Sequence, residues 1–166
     1  MDAAEQLSEI FRAVAPLYKK RDKIYREVAG LLCEKGIAHP QMESLTAEER
    51  SFAEKYFIAD VLPVLSPQII NAHHPFPHLV NKALYIVLQM KISDKTAYGI
   101  IPMPAMQDRL IFLPGSGMRY VLLEELIYQY AERVFDNCEI NAKSIICVTR
   151  NADINVDGLP DEDEDF

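Results

Sequence analysis

Residues Leu84–Met103, LYIVLQMKISDKTAYGIIPM, decide the fold of this chain. Leu84–Ile92 is a nearly continuous apolar run, and Ala97–Met103 is a second one. Short apolar runs that are rich in β-branched and aromatic residues are typical of buried strands. The segment between them, Ser93-Asp94-Lys95, is turn-prone. The sequence therefore predicts two neighbouring strands joined by a hairpin turn.

Similar elements follow the predicted hairpin. Leu110–Leu113 predicts a third strand, and Pro114–Gly117 (PGSG) interrupts the chain after it. Leu122–Val134 has apolar residues at helical spacing and predicts an amphipathic helix of about thirteen residues. Ser144–Val148 predicts a last short strand. Strands followed by a helix that can cover them indicate the α+β class, with a mostly antiparallel or mixed sheet packed with one or more helices.

The first 35 residues have a helical pattern. Apolar side chains recur there at helical spacing in two stripes: Leu7, Ile10, Phe11 and Val14, then Ile24, Val28, Leu31 and Leu32. Pro16 lies between the stripes and lacks a backbone donor, so we expect either a kink or two helices at that point. Gly36 is the expected end of the helical region.

A further helix is expected to begin at Thr46, because Thr46-Ala-Glu-Glu49 fits a capping box. Phe52, Tyr56 and Phe57 are expected on its buried side. The helix should end at or before Leu62, since a proline follows and disfavours helical geometry in the residue before it. Four prolines within fifteen residues then predict an extended, rigid connection: Pro63, Pro67, Pro75 and Pro77.

The charge of the chain is unevenly distributed. The net charge of −8 comes from 17 basic and 25 acidic residues, but residues 151–166 hold seven of the acids and no Lys or Arg. Residues 1–150 are therefore nearly neutral. The run Asp161–Asp165 has five consecutive acids and little to bury, which is typical of a linker or a disordered tail.

Several classes of protein are disfavoured by the composition. The three cysteines, at positions 33, 138 and 147, have no metal-like spacing, so a reducing compartment is expected. The chain has no secretory signal pattern and no apolar run near the ~20 residues that span a bilayer. We therefore expect a cytoplasmic protein.

Three blocks of the sequence resemble the bacterial polyphosphate kinases, in the order of that family. The first is Tyr56–Pro77, YFIADVLPVLSPQIINAHHPFP. The second combines the apolar run from Leu84 with Arg109–Pro114 (RLIFLP) and Tyr120–Ile127 (YVLLEELI). The third is Val148–Ile154 (VTRNADI). Two positions depart from the family pattern, the doubled histidine at His73-His74 and the pair Asp136-Asn137.

The resemblance implies a division of the chain into three parts. Residues 1–45 would end the family's N-terminal helical domain, 46–154 would form its middle or head domain, and 155–166 would be an acidic linker. Polyphosphate kinases are phosphotransferases that use ATP and Mg²⁺ and pass the γ-phosphate through a phosphohistidine. In the family that histidine lies in C-terminal domains that follow the region resembled here, so no catalytic residue and no metal ligand is carried over. The implied partners are the remaining domains of a parent enzyme and a second copy in a homo-oligomer.

A basic segment is the one candidate binding site that the residues themselves suggest. Five cations occur within eight residues: Lys19, Lys20, Arg21, Lys23 and Arg26. They are typical of a solvated helix face, but they also fit contact with a polyanion such as polyphosphate. Aromatic residues are not interleaved for base stacking, so a nucleic acid is not expected. A free-standing polyphosphate- or nucleotide-binding module is the alternative to the domain of a larger enzyme.

Three other patterns are better explained by structure than by chemistry. His73, His74 and His78 form a cluster, but a rigid strand points adjacent side chains apart and the neighbouring sequence offers no further ligand. Gly115-Ser-Gly117 lacks the Lys and the following helix of a phosphate-binding loop. Glu124 and Glu125 are adjacent on a predicted helix, so they point about 100° apart and suit its first turn.

Overall fold

The α+β fold expected from the sequence is confirmed by the computed structural model, which describes residues 2–71, 74, 76–92, 95–135 and 138–149. The helices are α1 (Ala3–Glu34), α2 (Ala47–Tyr56) and α3 (Leu123–Tyr130). The strands are β1 (Ile37–Ala38), β2 (Gln68–Ile70), β3 (Leu84–Ile92), β4 (Lys95–Pro102), β5 (Leu110–Phe112), β6 (Met118–Leu122) and β7 (Glu139–Cys147).

Helix α1 is a single helix of 32 residues, so the alternative of two helices is wrong. Its first turn is closed by a capping box between Asp2 and Glu5. Pro16 lies inside it and removes one hydrogen bond, a loss that the many other bonds of so long a helix can outweigh. The helix ends where predicted, because Gly36 follows the cap residue with a φ of 80°.

Helix α2 begins with the predicted capping box, since the Thr46 hydroxyl accepts from the Glu49 N–H while the Glu49 carboxylate accepts from the Thr46 N–H. Helical geometry continues past α2 as a π-helical turn, Phe57–Val61, and a 3-10 turn, Leu62–Val64. Phe57 is fully buried. The change of geometry coincides with Pro63, which has no N–H to continue an α-helical ladder.

Four strands form an antiparallel sheet in the order β2-β4-β3-β7. The predicted hairpin is confirmed by the pairing of β3 with β4, which runs from Tyr85↔Pro102 to Ile92↔Lys95. The intervening Ser93 and Asp94 lie outside the described residues. Strand β7 begins at Glu139, five residues earlier than the apolar run predicts. It is an edge strand with mostly exposed residues, so its first half carries no apolar signal.

A smaller, mixed sheet has the order β1-β6-β5. Strand β1 pairs with β6 in parallel, and β5 pairs with β6 in antiparallel orientation. The predicted break between β5 and β6 is confirmed by Gly115 and Gly117, which have φ angles of 118° and 94°. A Cβ on Gly117 would lie 3.2 Å from the carbonyl oxygen of Gly36, so the turn also needs glycine for close approach.

Helix α3 and the π-helical turn pack against one face of the four-stranded sheet and form the main core. The α-helix is eight residues long, shorter than the predicted thirteen, and continues as a 3-10 turn, Ala131–Arg133. The prediction was too long because apolar periodicity alone does not distinguish the two geometries at a helix end. The fully buried large side chains of this core are Phe57, Val61, Ile86, Leu88, Met90, Ile101, Val121, Leu123, Leu126 and Ile127.

Candidate functional site

The five basic residues of the predicted polyanion-binding segment all lie on α1 and are exposed, as is nearly every residue of this fully described helix. Side chains three and four residues apart share a helix face. Lys19, Lys23 and Arg26 therefore lie on one side of α1, whereas Lys20 and Arg21 lie on other sides. The structure brings three of the five cations to one face.

Acidic neighbours and a backbone oxygen engage three of these cations. Arg21 Nη2 lies 2.7 Å from Asp22 Oδ1, and Lys23 Nζ lies 3.8 Å from Glu27 Oε1. Arg26 Nε donates to the carbonyl oxygen of Asp22 at 3.1 Å. All of these groups are largely exposed, so each contact is worth little.

Lys19 and Lys20 form no ion pair with any described residue. Two lysines without partners keep their charge available to an anion in solution. Of the five cations, these two are consequently the least neutralised by the described neighbours, although they point to different sides of α1.

The rest of α1 carries an uncovered apolar stripe. Its exposed members are between 39% and 68% exposed and are Leu7, Ile10, Phe11, Leu17, Tyr18, Ile24, Tyr25, Val28, Leu31 and Leu32. In the middle of α1, the apolar side chains Leu17, Ile24 and Val28 line a shallow groove together with Lys20 and Arg21. A helix with such a stripe normally buries it against another element, and none of the described residues covers this one.

A second apolar surface, which the described residues cover only in part, lies on the face of the four-stranded sheet opposite the main core. We call it the outer groove. It is lined only by apolar and aromatic side chains: Ile70, Phe76, Val87, Tyr98, Ile100 and Ile146. Phe76 is 66% exposed and Tyr98 is 45% exposed. Both faces of this sheet are therefore apolar, although only one is covered by α3.

An ion pair between a buried carboxylate and a partly exposed arginine joins α2 to the small sheet. Glu49 is buried, and its Oε1 accepts from Arg119 Nε at 2.5 Å while Oε2 accepts from Arg119 Nη2 at 3.2 Å. The hydrogen bond from Arg119 lowers the pKa of Glu49, although burial acts in the opposite direction. The same bond raises the pKa of Arg119. Both groups are thus held in their charged forms.

A second ion pair joins the start of β5 to α3. Arg109 Nε and Nη2 donate to Glu124 Oε1 at 2.9 and 2.5 Å, and Glu124 is buried. This hydrogen bonding raises the pKa of Arg109. The first-turn position expected for Glu124 and Glu125 is confirmed, and Glu124 also holds the arginine that begins the RLIFLP segment.

The remaining candidate chemistry finds little support in the structure. Among the described residues, no three His, Cys, Asp or Glu side chains lie close enough together to hold a metal ion. His73 lies outside the described residues, so the histidine cluster as a whole is not tested. Gly115-Ser-Gly117 leads into β6 rather than a helix, so the turn interpretation is confirmed. The departures at Asp136-Asn137 and the block after Thr149 also lie outside the described residues.

Sequence patterns could not reveal the two ion pairs. Glu49 and Arg119 are 70 residues apart, and Arg109 and Glu124 are 15 residues apart on different elements. Only the tertiary fold brings them together. The exposed stripe of α1 was visible as helical periodicity, but the sequence does not show that it is left uncovered.

Comparison with known proteins identifies the family to which the sequence is similar. Residues 48–166 match the family model described as the polyphosphate kinase middle domain. A polyphosphate kinase of Bacillus anthracis is 35% identical over 129 residues, which is 73% of this chain and 18% of that protein. A polyphosphate kinase of Bacillus cereus is 32% identical over 161 residues, 92% of this chain and 23% of that protein.

The fold is also similar to a solved structure. The crystal structure of a polyphosphate kinase from Porphyromonas gingivalis matches 92% of this chain and 26% of its own chain, with a TM-score of 0.73 and 19% identity. The chain spans about a quarter or less of the length of these relatives. In the described part of the chain, no helix is both long and apolar enough to cross a membrane. The family-model match over most of the chain shows that this protein belongs to the polyphosphate kinase family and contains the middle domain of that family.

Proposed function

We propose that this chain is a non-catalytic portion of a cytoplasmic polyphosphate kinase and serves as an interdomain and dimer scaffold that forms part of the wall of a tunnel. Residues 1–45 would end an N-terminal helical domain, 46–154 would form the middle domain, and 155–166 would link it to domains that follow. The proposal rests on family membership and on the small share of each relative that the chain spans.

The parent enzyme would transfer the γ-phosphate of ATP, with Mg²⁺, to a histidine in its C-terminal domains and release ADP. The phosphohistidine would then pass its phosphoryl group to the end of a polyphosphate chain. No residue of the present chain is assigned to either step. Its part would be to hold the other domains in place.

The observation that carries the scaffold proposal is the pair of apolar surfaces that the described residues leave wholly or partly exposed, the stripe on α1 and the outer groove. Monomeric soluble proteins seldom expose large contiguous apolar patches, and such patches commonly mark interaction sites. These surfaces lie on different elements, one on the long helix and one on the sheet. They are therefore suited to contacts with two separate parts of a larger protein.

The test is an activity assay of the purified chain with ATP and Mg²⁺. We expect neither an acid-stable phosphate polymer nor a phosphohistidine. The B. cereus relative, assayed in parallel, serves as the positive control. Sustained polymer synthesis by this chain alone would overturn the proposal.

Polyanion binding by α1 is a second candidate function, and it is favoured because Lys19 and Lys20 have no ion-pair partner in the part of the chain that the structure describes. A polyphosphate or nucleotide bound there would displace counterions, so its affinity should fall steeply with salt. We expect the variant Lys19→Glu/Lys20→Glu to lose most of the binding and to reduce the salt slope by about one unit for each lysine removed.

The matched control is Lys55→Glu/Lys95→Glu, which makes the same charge change at exposed positions outside α1. Binding would be measured by titration of a labelled polyphosphate at several salt concentrations. Equal losses in the two double variants would indicate a non-specific charge effect and would remove this candidate.

A further inference from the structure

Helix α1 is attached to the rest of the protein through very few contacts. None of its residues is buried, and its end leads through Gly36 into β1, which has only two residues. The Met118 N–H donates to the Gly36 carbonyl oxygen at 2.9 Å, and β1 pairs with β6. These contacts hold the chain just after α1, but they do not hold the helix itself.

A side-chain hydrogen bond from α1 reaches the body of the protein through His39. The Tyr25 hydroxyl lies 3.1 Å from His39 Nδ1, and His39 Nε2 lies 2.7 Å from Glu125 Oε2. The same Glu125 oxygen accepts from the Leu122 N–H at 3.1 Å, at the start of α3. We call Tyr25, His39 and Glu125 the His39 network.

The His39 ring is held in place by an aromatic contact as well as by hydrogen bonds. It stacks on Tyr120 of β6 with 5.1 Å between ring centroids and 5° between the ring planes. An ionised carboxylate only accepts hydrogen bonds, so His39 Nε2 carries a proton and donates to Glu125. In the neutral ring, Nδ1 then accepts from the Tyr25 hydroxyl. The geometry thus gives the Tyr25 hydroxyl, both ring nitrogens of His39 and Oε2 of Glu125 compatible roles.

The His39 network also joins two regions of the chain, one inside the family-model match and one before it. Residues 48–166 match the middle domain, which includes Tyr120 and Glu125, whereas Tyr25 and His39 precede that match. The network consequently connects the helix that precedes the middle domain with the first turn of a helix inside it.

We propose that the His39 network fixes the orientation of α1 against the body of the protein, and that breaking it lets α1 swing about Gly36. The φ of 80° at Gly36 marks the point at which the backbone leaves helical geometry. Among the described residues, two side-chain hydrogen bonds in series link the helix to the body, so loss of either one breaks this link. This inference concerns the chain itself and does not depend on the activity proposed for the parent enzyme.

The test measures the distance between α1 and the sheet by pulsed electron paramagnetic resonance. Spin labels are placed at Arg12→Cys and Lys95→Cys, both exposed, in a background without the three native cysteines. Tyr25→Phe removes only the hydroxyl of an exposed residue. His39→Phe removes both hydrogen bonds but keeps a ring that can stack on Tyr120.

We expect the fraction of molecules outside the docked distance to rise about fivefold in each variant, the effect of losing one ordinary hydrogen bond. The control Tyr18→Phe alters an exposed tyrosine on the same helix, whose ring lies 5.1 Å from Arg21 Cζ, and it should leave the distribution unchanged. Circular dichroism checks that each variant is folded. The proposal would be overturned if Tyr25→Phe and His39→Phe both gave the same distance distribution as the chain without either substitution. A change in His39→Phe alone would also overturn it, because the bond to Tyr25 would then not hold the helix.

Discussion

At the scale of single residues, the pair Glu49–Arg119 has the greatest consequence for stability. Glu49 is buried at the start of α2. Arg119 donates two hydrogen bonds to its carboxylate, and the backbone N–H of Thr46 donates the third as part of the capping box. Removing the arginine would leave a buried carboxylate without its counter-charge. Such a loss is strongly destabilising, whereas exposed pairs contribute little.

We therefore predict that Arg119→Met lowers the free energy of unfolding by about 2–3 kcal/mol. The matched control is Arg133→Met, which breaks the pair between Arg133 and Glu54, whose side chains are 45% and 40% exposed. That variant should lose about 1 kcal/mol or less. Urea denaturation measures both values, and equal losses would contradict the importance given to burial.

The same pair predicts a dependence of stability on pH. Arg119 holds the pKa of Glu49 below the ordinary value of 4.5, so near and below that pH the unfolded chain binds more protons than the folded protein. The contribution is fully present above about pH 4.5 and is lost as pH falls through the lower folded pKa. Arg119→Met removes the main cause of this shift.

We predict that, from pH 6 to about pH 3, the free energy of unfolding falls less steeply in Arg119→Met than in the unmodified chain. Other carboxylates contribute equally to both proteins, so the difference between the two curves isolates Glu49. Urea titrations at several pH values provide the measurement. Two parallel curves would show that Arg119 does not set the ionisation of Glu49.

At the scale of elements, close packing of the sheet against the chain that follows α3 depends on a glycine in β4. A Cβ added to Gly99 would lie 2.4 Å from Met90 Cε and 2.7 Å from Phe135 Cζ. We predict that Gly99→Ala lowers the free energy of unfolding by about 1–3 kcal/mol, because both core side chains must move.

Gly30→Ala is the control for this substitution, since no atom lies within 4 Å of the added Cβ on α1. Alanine favours helix over glycine by up to about 1 kcal/mol, so this change should raise the helical content of the protein. Thermal unfolding followed by circular dichroism distinguishes the two outcomes. If Gly99→Ala were as stable as the unmodified chain, Met90 and Phe135 would be able to adjust without a loss of stability.

The elements predicted best are those whose signal is local. The capping box at Thr46 and the strand Leu84–Ile92 were found because hydrogen-bonding residues and apolar runs are visible in the sequence itself. Although β5 is also only three residues long, its apolar run predicted it, whereas the short strands β1 and β2 were missed. Their pairing depends on distant strands, which a local pattern does not reveal.

At the scale of the whole molecule, the existence of the basic segment could be predicted from the sequence. The faces and the partners of its cations could be predicted only in part. Helical spacing places Lys19 and Lys23 on one face, whereas the partners of Arg21 depend on side-chain geometry. The His39 network could not be predicted, because Tyr25 and Glu125 are 100 residues apart and meet only through the tertiary fold. The uncovered surfaces likewise depend on what the fold leaves unpacked.

The stripe on α1 leads to a prediction about the behaviour of the whole protein. If the stripe is an interface rather than part of the core, Leu17→Gln/Ile24→Gln/Val28→Gln should change the free energy of unfolding of the body by no more than about 0.5 kcal/mol. The same variant should reduce self-association and the binding of a hydrophobic dye, because it removes apolar surface that is already in contact with water.

Sedimentation velocity and dye fluorescence measure the second effect, and urea denaturation measures the first. The contrasting control is Leu88→Gln, which places an amide in the fully buried main core and should lower the stability by several times as much. A loss of body stability in the α1 variant close to that of Leu88→Gln would mean that the stripe is already packed in the isolated protein. The stripe would then be unavailable to a partner domain, and the scaffold proposal would lose one of its two surfaces.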